Sequence, residues 1–140
     1  MHPYFFGTQI YPDSWVGVDL DGTLAKQIDW DVDPLGSTIG DPIPSIVGVV
    51  KRMLSLGIDV RVMTARVGCC GEVNRNGIAD DQAFCDAQRD LITKWCIKHI
   101  GAPLRVTATK DFCMALLIDD RAITVEANTG RVLTSFNPHN

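Results

Sequence analysis

Two aspartates stand two residues apart, directly after a short apolar run. Asp19 and Asp21 follow the run Trp15–Val18, and Gly22 comes next. Side chains at i and i+2 of an extended segment point to the same side, so both carboxylates would be aimed at one spot beyond the strand. Two such charges repel each other by about 4 kcal/mol at an effective dielectric of 20. This pattern indicates a site where a cation lies between the acids, or where one acid holds a proton for chemistry.

Three later stretches carry polar side chains near the ends of other predicted strands. Thr64, Lys110 and the pair Asp119 and Asp120 each directly follow, or lie within a few residues of, such a strand. Open parallel sheets bind their ligands beyond the carboxyl ends of the strands. An isolated Asp-Gly pair is typical of an ordinary turn. The polar residues at the later strand ends favour a functional interpretation of Asp19 and Asp21.

These side chains suit phosphoryl transfer. One carboxylate can attack phosphorus in line to form an aspartyl-phosphate. A second acid can protonate the leaving alcohol and then take a proton from the attacking water. A threonine hydroxyl and a lysine ammonium can stabilise the charge on the phosphoryl oxygens. Clustered aspartate oxygens suit Mg²⁺, which shields the repulsion between the acids and the phosphate.

The order of the predicted elements indicates an α/β fold with a parallel sheet. Apolar spacing predicts helices from Pro44 to Leu56 and from Asp80 or Asp81 to about residue 100. The core face of the second helix would carry Phe84, Ala87, Leu91, Ile92, Trp95 and Cys96. Strand–helix–strand order favours right-handed crossovers between parallel strands. The predicted strands cover residues 15–20, 58–63, 104–107 and 115–118, followed by a hairpin of 123–127 and 131–136 at the sheet edge.

The stretch Asp19-Leu20-Asp21-Gly22-Thr23 resembles the first motif, DxDGT, of the haloacid-dehalogenase superfamily. Thr64 matches the second motif, Lys110 fits the third, and Asp119-Asp120 matches the acidic fourth. The four motifs stand in the family's order across residues 16–120. The resemblance implies a Rossmann-type three-layer sandwich with a mostly parallel central sheet.

The resemblance also implies a role for each matched residue. Asp19 would be the nucleophile and Asp21 the general acid/base, as in the phosphatase branch. Thr64 and Lys110 would hold the phosphoryl group. The residues that bind the rest of the substrate would be Gly22, Thr23, Ala65, Arg66 and Arg121. Mg²⁺ would be held by the Asp19 side chain, the Asp21 carbonyl and a fourth-motif acid, either Asp120, which we favour, or Asp119.

Two finer resemblances concern the substrate. Thr64-Ala65-Arg66 and the stretch 118–122 look like small phage and prophage hydrolases of this superfamily, and DxDGTLA is also similar to the 3′-phosphatase domain of phage-type polynucleotide kinases. The implied substrate is a nucleotide or a nucleic-acid end. Arg66 and Arg121 could meet a second phosphate. Surface or ion-pair arginines are the alternative interpretation.

The loops leave no room for a cap domain. Segments 25–42 and 65–80 have loop composition and are too short to hold a further domain, so we expect one domain over 1–140, with residues 1–14 as an arm packed on the core. An open site suits large substrates such as nucleic-acid ends. Alternatively, one of these loops or a second subunit closes over a small molecule.

Composition narrows the class of protein. The net charge of −4 argues against a broad nucleic-acid or membrane surface, and no apolar run approaches the roughly 20 residues of a membrane span. The first residues lack signal-peptide features, so we expect a cytoplasmic protein. Five cysteines without a C-x-x-C pair predict reduced thiols, with Cys85, Cys96 and Cys113 buried.

A non-enzymatic domain is the rival hypothesis. It would keep a phosphoryl group on Asp19, as a receiver module does, or would only bind Mg²⁺, phosphate or a partner. Asp21 argues against it, because this residue supplies the acid/base that turnover requires. The sequence does not indicate an oligomeric state.

Overall fold

A four-stranded parallel sheet organises the chain. The computed structural model describes residues 2–29, 31–68, 72–73, 79–80 and 82–133. Strand order in the sheet is β7-β4-β3-β8. The elements are β1 (Tyr4–Phe5), β2 (Thr8–Gln9), β3 (Trp15–Val18), α1 (Pro44–Ser55), β4 (Asp59–Met63), β5 (Glu72–Val73), β6 (Ala79–Asp80), α2 (Gln82–His99), β7 (Arg105–Thr107) and β8 (Met114–Ile118), with a 3₁₀ turn at Ala65–Val67.

The strand register aligns the carboxyl ends at one edge of the sheet. Val18 of β3 lies opposite Val62 of β4 on one side and Ile118 of β8 on the other. Met63 of β4 in turn lies opposite Thr107 of β7. All four strands therefore end at nearly the same level, which confirms the predicted parallel sheet.

The hydrophobic core lies on one face of this sheet. Alternate residues of the two central strands, Val16, Val18, Val60 and Val62, are buried there, as strand geometry requires. Both helices add to the same cluster of buried side chains. The helical members are Val47, Val50 and Met53 of α1 and Ile92, Trp95 and Cys96 of α2.

The other face of the sheet differs from the three-layer expectation. Trp15 and Gly17 point there beside Arg61, whose guanidinium carbon lies 4.7 Å from the Trp15 ring centre. The Trp15 indole N–H donates to Asp111 Oδ1 at 2.7 Å. Residues 108–113, which link β7 to β8, are too few for a crossover helix. Among the described residues, both helices therefore cover one face, and this face has no helical layer.

The second half of α2 agrees with the predicted core face, since Ile92, Trp95 and Cys96 are buried. In its first half, Cys85 and Gln88 are buried in place of the predicted residues, because Ala87 is exposed and Phe84 and Leu91 are half-buried. The thiol prediction also needs correction. Cys96 is buried and free, Cys113 is free but exposed, and Cys85 carries a disulfide bond. Spacing along the chain could not reveal this pairing because the fold sets which thiols meet. Cys69 and Cys70, the other two of the five cysteines, lie outside the described part of the chain.

Both ends of the described chain form small hairpins. β1 pairs antiparallel with β2, and Ile10 after them is buried in the core, which agrees with a packed arm at residues 1–14. Val125 pairs with Val132, in agreement with the predicted hairpin as far as residue 133. None of the helices in the described ranges is both long and apolar enough to cross a membrane.

Candidate active site

Three carboxylates converge beyond the carboxyl ends of β3 and β8. Asp19, Asp119 and Asp120 each offer an oxygen within 4.8 Å of the others. The backbone N–H of Asp19 donates to the Ile118 carbonyl at 2.9 Å, so the sheet ladder continues to the first acid. The two neighbouring strand ends thus hold the three acids in one cluster.

Thr23 connects two of these acids. Its hydroxyl oxygen lies 3.0 Å from Asp120 Oδ1 and 3.4 Å from Asp19 Oδ2, and it accepts the Asp120 backbone N–H at 3.0 Å. Thr23 is only 6% exposed. Thr23, which the resemblance places in the substrate-binding set, therefore also helps to position Asp19 and Asp120.

Gly22 makes the close approach of Asp120 possible. A Cβ at this position would lie 2.5 Å from Asp120 Oδ2, and the residue has φ of +90°. Both features mean that any residue other than glycine would be strained at this position. Around Gly22 the chain turns tightly, with the Ala25 backbone N–H donating to the Leu20 carbonyl at 2.9 Å. This turn brings the following loop back over the acids.

Clustering changes the protonation of Asp19. Its pKa is raised from 3.8 to about 7, first by burial, then by the hydrogen bond with the Asp120 side chain and by the charges of Asp119 and Asp120. For Asp120, burial acts to raise the pKa, but hydrogen bonds with Asp19 and Thr23 outweigh it, and the net pKa is lowered. The contact between the two carboxyl groups thus moves their pKa values apart, as expected for closely placed acids.

The acid cluster fits a hard cation. Carboxylate oxygens within one small volume are the donor set that Mg²⁺ prefers. A cation would offset the negative charges of Asp119 and Asp120, which add to the effect of burial in raising the pKa of Asp19. Asp19, Asp119 and Asp120 could each supply one ligand oxygen.

Asp21, two residues beyond Asp19, has a different partner. Arg66 donates from Nε to Asp21 Oδ2 and from a terminal nitrogen to Asp21 Oδ1, both at 2.8 Å. The side chains of Arg66 and Asp21 are 14% and 19% exposed. This planar two-bond fork fixes the orientation of the carboxylate as well as its position.

All five N–H groups of Arg66 are used within the protein. Beyond Asp21, they reach the Thr38 carbonyl at 3.0 Å, the Gly36 carbonyl at 3.1 Å and Gln88 Oε1 at 3.0 Å. Gln88 in turn donates to the same Gly36 carbonyl at 2.7 Å. Arg66 thus joins the first acidic motif, the 25–42 loop and α2, and no donor is left over for a second phosphate.

Thr64 faces the site from the end of β4. It is 4% exposed, and its hydroxyl oxygen accepts the Arg66 backbone N–H at 3.2 Å. The hydroxyl proton is not used in that bond, so it can donate to an anionic oxygen in the site. The next residue, Ala65, lies in the 3₁₀ turn and lines the same space.

The 25–42 loop is folded rather than merely solvated. Asp33 accepts the backbone N–H and the hydroxyl of both Ser37 and Thr38, at 2.7 to 3.0 Å. These bonds hold the pKa of Asp33 far below its usual range, with the Ser37 hydroxyl as the largest cause. At the base of the loop, the Lys26 N–H donates to the Asp41 carbonyl at 2.8 Å. The loop is therefore a closed Ω-like element with its own internal bonds.

A cavity of about 660 Å³ lies between this loop and the strand ends. Asp19, Asp21, Thr64 and Asp119 line its polar floor, and Arg121 lies at its edge. Lys110 does not line the cavity. It is exposed and has no hydrogen bond or ion pair with the described residues. The structure thus brings together the first, second and fourth motifs, while Lys110 stays outside.

Two residues of this site were missed by sequence reasoning. Gln88 offered a weak signal, a polar residue on the apolar side of a helix four residues after Phe84. Asp33 gave none beyond its turn-forming neighbours Pro34 and Gly36, since its role depends on how the loop closes. Both residues support Arg66 or its loop rather than line the acid cluster.

Comparison with protein-family models, with curated proteins and with solved structures gives no match to this chain.

Proposed function

We propose that this protein is a Mg²⁺-dependent phosphomonoester hydrolase of the haloacid-dehalogenase type, acting through an aspartyl-phosphate on Asp19. The observation that carries the proposal is the convergence of Asp19, Asp21, Thr64 and Asp119 on one cavity at the carboxyl edge of a parallel sheet. The DxDGT resemblance supports the same assignment of roles.

Asp19 is the group to attack phosphorus. It ends the central strand, and its ionised form is the nucleophile, so neutralisation of the acidic cluster is a condition for attack. A bound Mg²⁺, held by Asp19, the Asp21 carbonyl and Asp120 or Asp119, would supply that neutralisation and orient the phosphoryl group. Thr64 donates its hydroxyl to a phosphoryl oxygen.

Asp21 transfers the proton. In the first half-reaction it protonates the leaving alcohol as the Asp19–phosphorus bond forms. In the second half-reaction it accepts a proton from the water that attacks the aspartyl-phosphate, which releases phosphate and restores Asp19. This proton transfer requires that Asp21 release one oxygen from the two bonds that Arg66 donates to it.

The same ion pair favours one alternative. With both Asp21 oxygens bonded to Arg66, hydrolysis of the aspartyl-phosphate would be slow if the pair did not open. The protein would then be a phospho-acceptor domain that keeps the phosphoryl group on Asp19. The lifetime of the phosphorylated wild-type protein separates the two functions.

The proposed function is tested by hydrolysis of a generic aryl phosphate with Mg²⁺. Wild-type protein should turn over, and Asp19→Asn should lose activity while keeping the wild-type melting temperature. Asp31→Asn is the matched control, because Asp31 is an exposed acid of the 25–42 loop outside the cavity. Wild-type rates in Asp19→Asn would rule out this nucleophile.

A further inference from the structure

Part of the cavity lining is an apolar wall made by five residues. Ile28, Pro34 and Leu35 come from the 25–42 loop, Phe84 comes from α2, and Met63 from the end of β4. Leu35 is 57% exposed, so its side chain is accessible to a ligand in the cavity. The lining thus combines acids near a phosphate-binding threonine with apolar side chains that suit an apolar group.

This wall is formed without a ligand. Arg66 and Gln88 bind the Gly36 carbonyl, next to Leu35, and Asp33 closes the loop on its other side through Ser37. A ligand would not need to order the loop on binding, so contacts with Leu35 would add to affinity at little entropic cost. The 25–42 loop thus forms part of the cavity lining.

The charges around the cavity favour a single phosphate group. Four of its lining residues are acids, namely Asp19, Asp21, Asp33 and Asp119. Of the two arginines, Arg66 has all its donors occupied, and only Arg121 has a guanidinium without a hydrogen bond or ion pair to the described residues. A polyanion would meet more negative than positive charge here, and a nucleic-acid strand brings several phosphates.

We infer that the substrate is a small phosphomonoester whose alcohol carries one flat aromatic group, such as a nucleoside monophosphate. This inference rests on the proposed function and adds the substrate class. The phosphate lies on the acidic floor beside Thr64, and the aromatic group lies against Leu35 and Phe84. A cavity of about 660 Å³ has the size of small-molecule sites in general.

A matched pair of substrates tests the inference. A nucleoside 5′-monophosphate and ribose 5-phosphate carry the same ester, with and without the aromatic base. We expect kcat/KM for the nucleotide to exceed that for the sugar phosphate by about tenfold or more. Equal values, or a preference for a 5′- or 3′-phosphorylated oligonucleotide, would overturn the inference.

Two variants connect the preference to the apolar wall. Leu35→Ala and Phe84→Ala should each reduce the nucleotide-to-sugar ratio of kcat/KM, mainly through KM of the nucleotide. Val32→Ala is the control, because Val32 is 78% exposed in the same loop and does not line the cavity. Leu35 is exposed enough for its variant to fold, so an unchanged ratio in Leu35→Ala contradicts the inference even if Phe84→Ala is unstable.

The outcomes also separate the two proposals. If an aryl phosphate is hydrolysed but the matched pair reacts equally, the substrate class is wrong and the proposed function stands. If no phosphate ester is hydrolysed, the proposed function fails, and the substrate inference fails with it.

Discussion

Removal of the Arg66 side chain should cost far more stability than removal of an ordinary surface arginine. Arg66→Ala leaves the Asp21 carboxylate without its fork and removes a donor from the Gly36 and Thr38 carbonyls and from Gln88. Breaking a fully buried ion pair costs about 3–5 kcal/mol. The two side chains are 14% and 19% exposed, so water can solvate part of the Asp21 carboxylate that is left behind. We therefore expect the free energy of unfolding to fall by about 2–3 kcal/mol.

Urea unfolding of the wild type and two variants measures this difference. Arg131→Ala is the matched control, since Arg131 pairs with Glu126 at the same 2.8 Å but with side chains 67% and 40% exposed. An exposed pair of this kind contributes about 0–1 kcal/mol. If Arg66→Ala lowers the free energy of unfolding no more than Arg131→Ala does, Arg66 does not hold the loop and Asp21 together.

Three further predictions concern other parts of the molecule. Gly22→Ala should destabilise by about 1–2 kcal/mol more than Gly130→Ala, since both have positive φ but only at Gly22 would a Cβ meet Asp120; equal losses in thermal unfolding would contradict this. Mg²⁺ should raise the melting temperature of the wild type and raise that of Asp120→Asn less, whereas equal shifts would place the ion elsewhere. The Trp15 indole lowers the pKa of Asp111, so the stability this bond provides is present above the ordinary aspartate pKa of about 4 and is lost as the pH falls. The gap in melting temperature between wild type and Asp111→Asn should therefore shrink from pH 7 to about pH 3, and a constant gap would refute the assignment.

The parallel sheet could be predicted because its signals are local. The alternation of Val60 and Val62 and the apolar run of residues 115–118 predict strands, and the helical spacing between them predicts crossovers. Since parallel strands end at one edge, this order of elements places Asp19, Asp119 and Asp120 at the same edge, and the pairing of β3 with β8 makes them neighbours. The structure confirms this proximity with oxygens inside 4.8 Å.

The contacts of Arg66 could not be predicted, because they depend on how distant segments fold together. Its partners Asp21, Gly36, Thr38 and Gln88 lie 45, 30, 28 and 22 residues away along the chain. From its residue type, Arg66 could bind a substrate phosphate or form an ion pair within the protein. In the fold it forms an ion pair with Asp21. Long-range polar contacts of this kind leave no periodic pattern in a sequence.

The lack of a helical layer on the second face, among the described residues, has a simpler cause. Such a layer needs a crossover long enough to hold a helix, and residues 108–113 are too few. The three-layer arrangement implied by the family resemblance requires a longer link at this point. The same short link bears on Lys110, which lies in it and does not reach the cavity.

The central claim is that Asp19 carries the phosphoryl group during turnover. Its most direct test is mass spectrometry of Asp21→Asn, quenched after mixing with an aryl phosphate and Mg²⁺, with wild type beside it. We predict that Asp21→Asn accumulates one phosphoryl group on Asp19, while wild type releases phosphate and carries little. A phosphoryl group on any other residue, or hydrolysis by Asp19→Asn at the wild-type rate, would contradict the account.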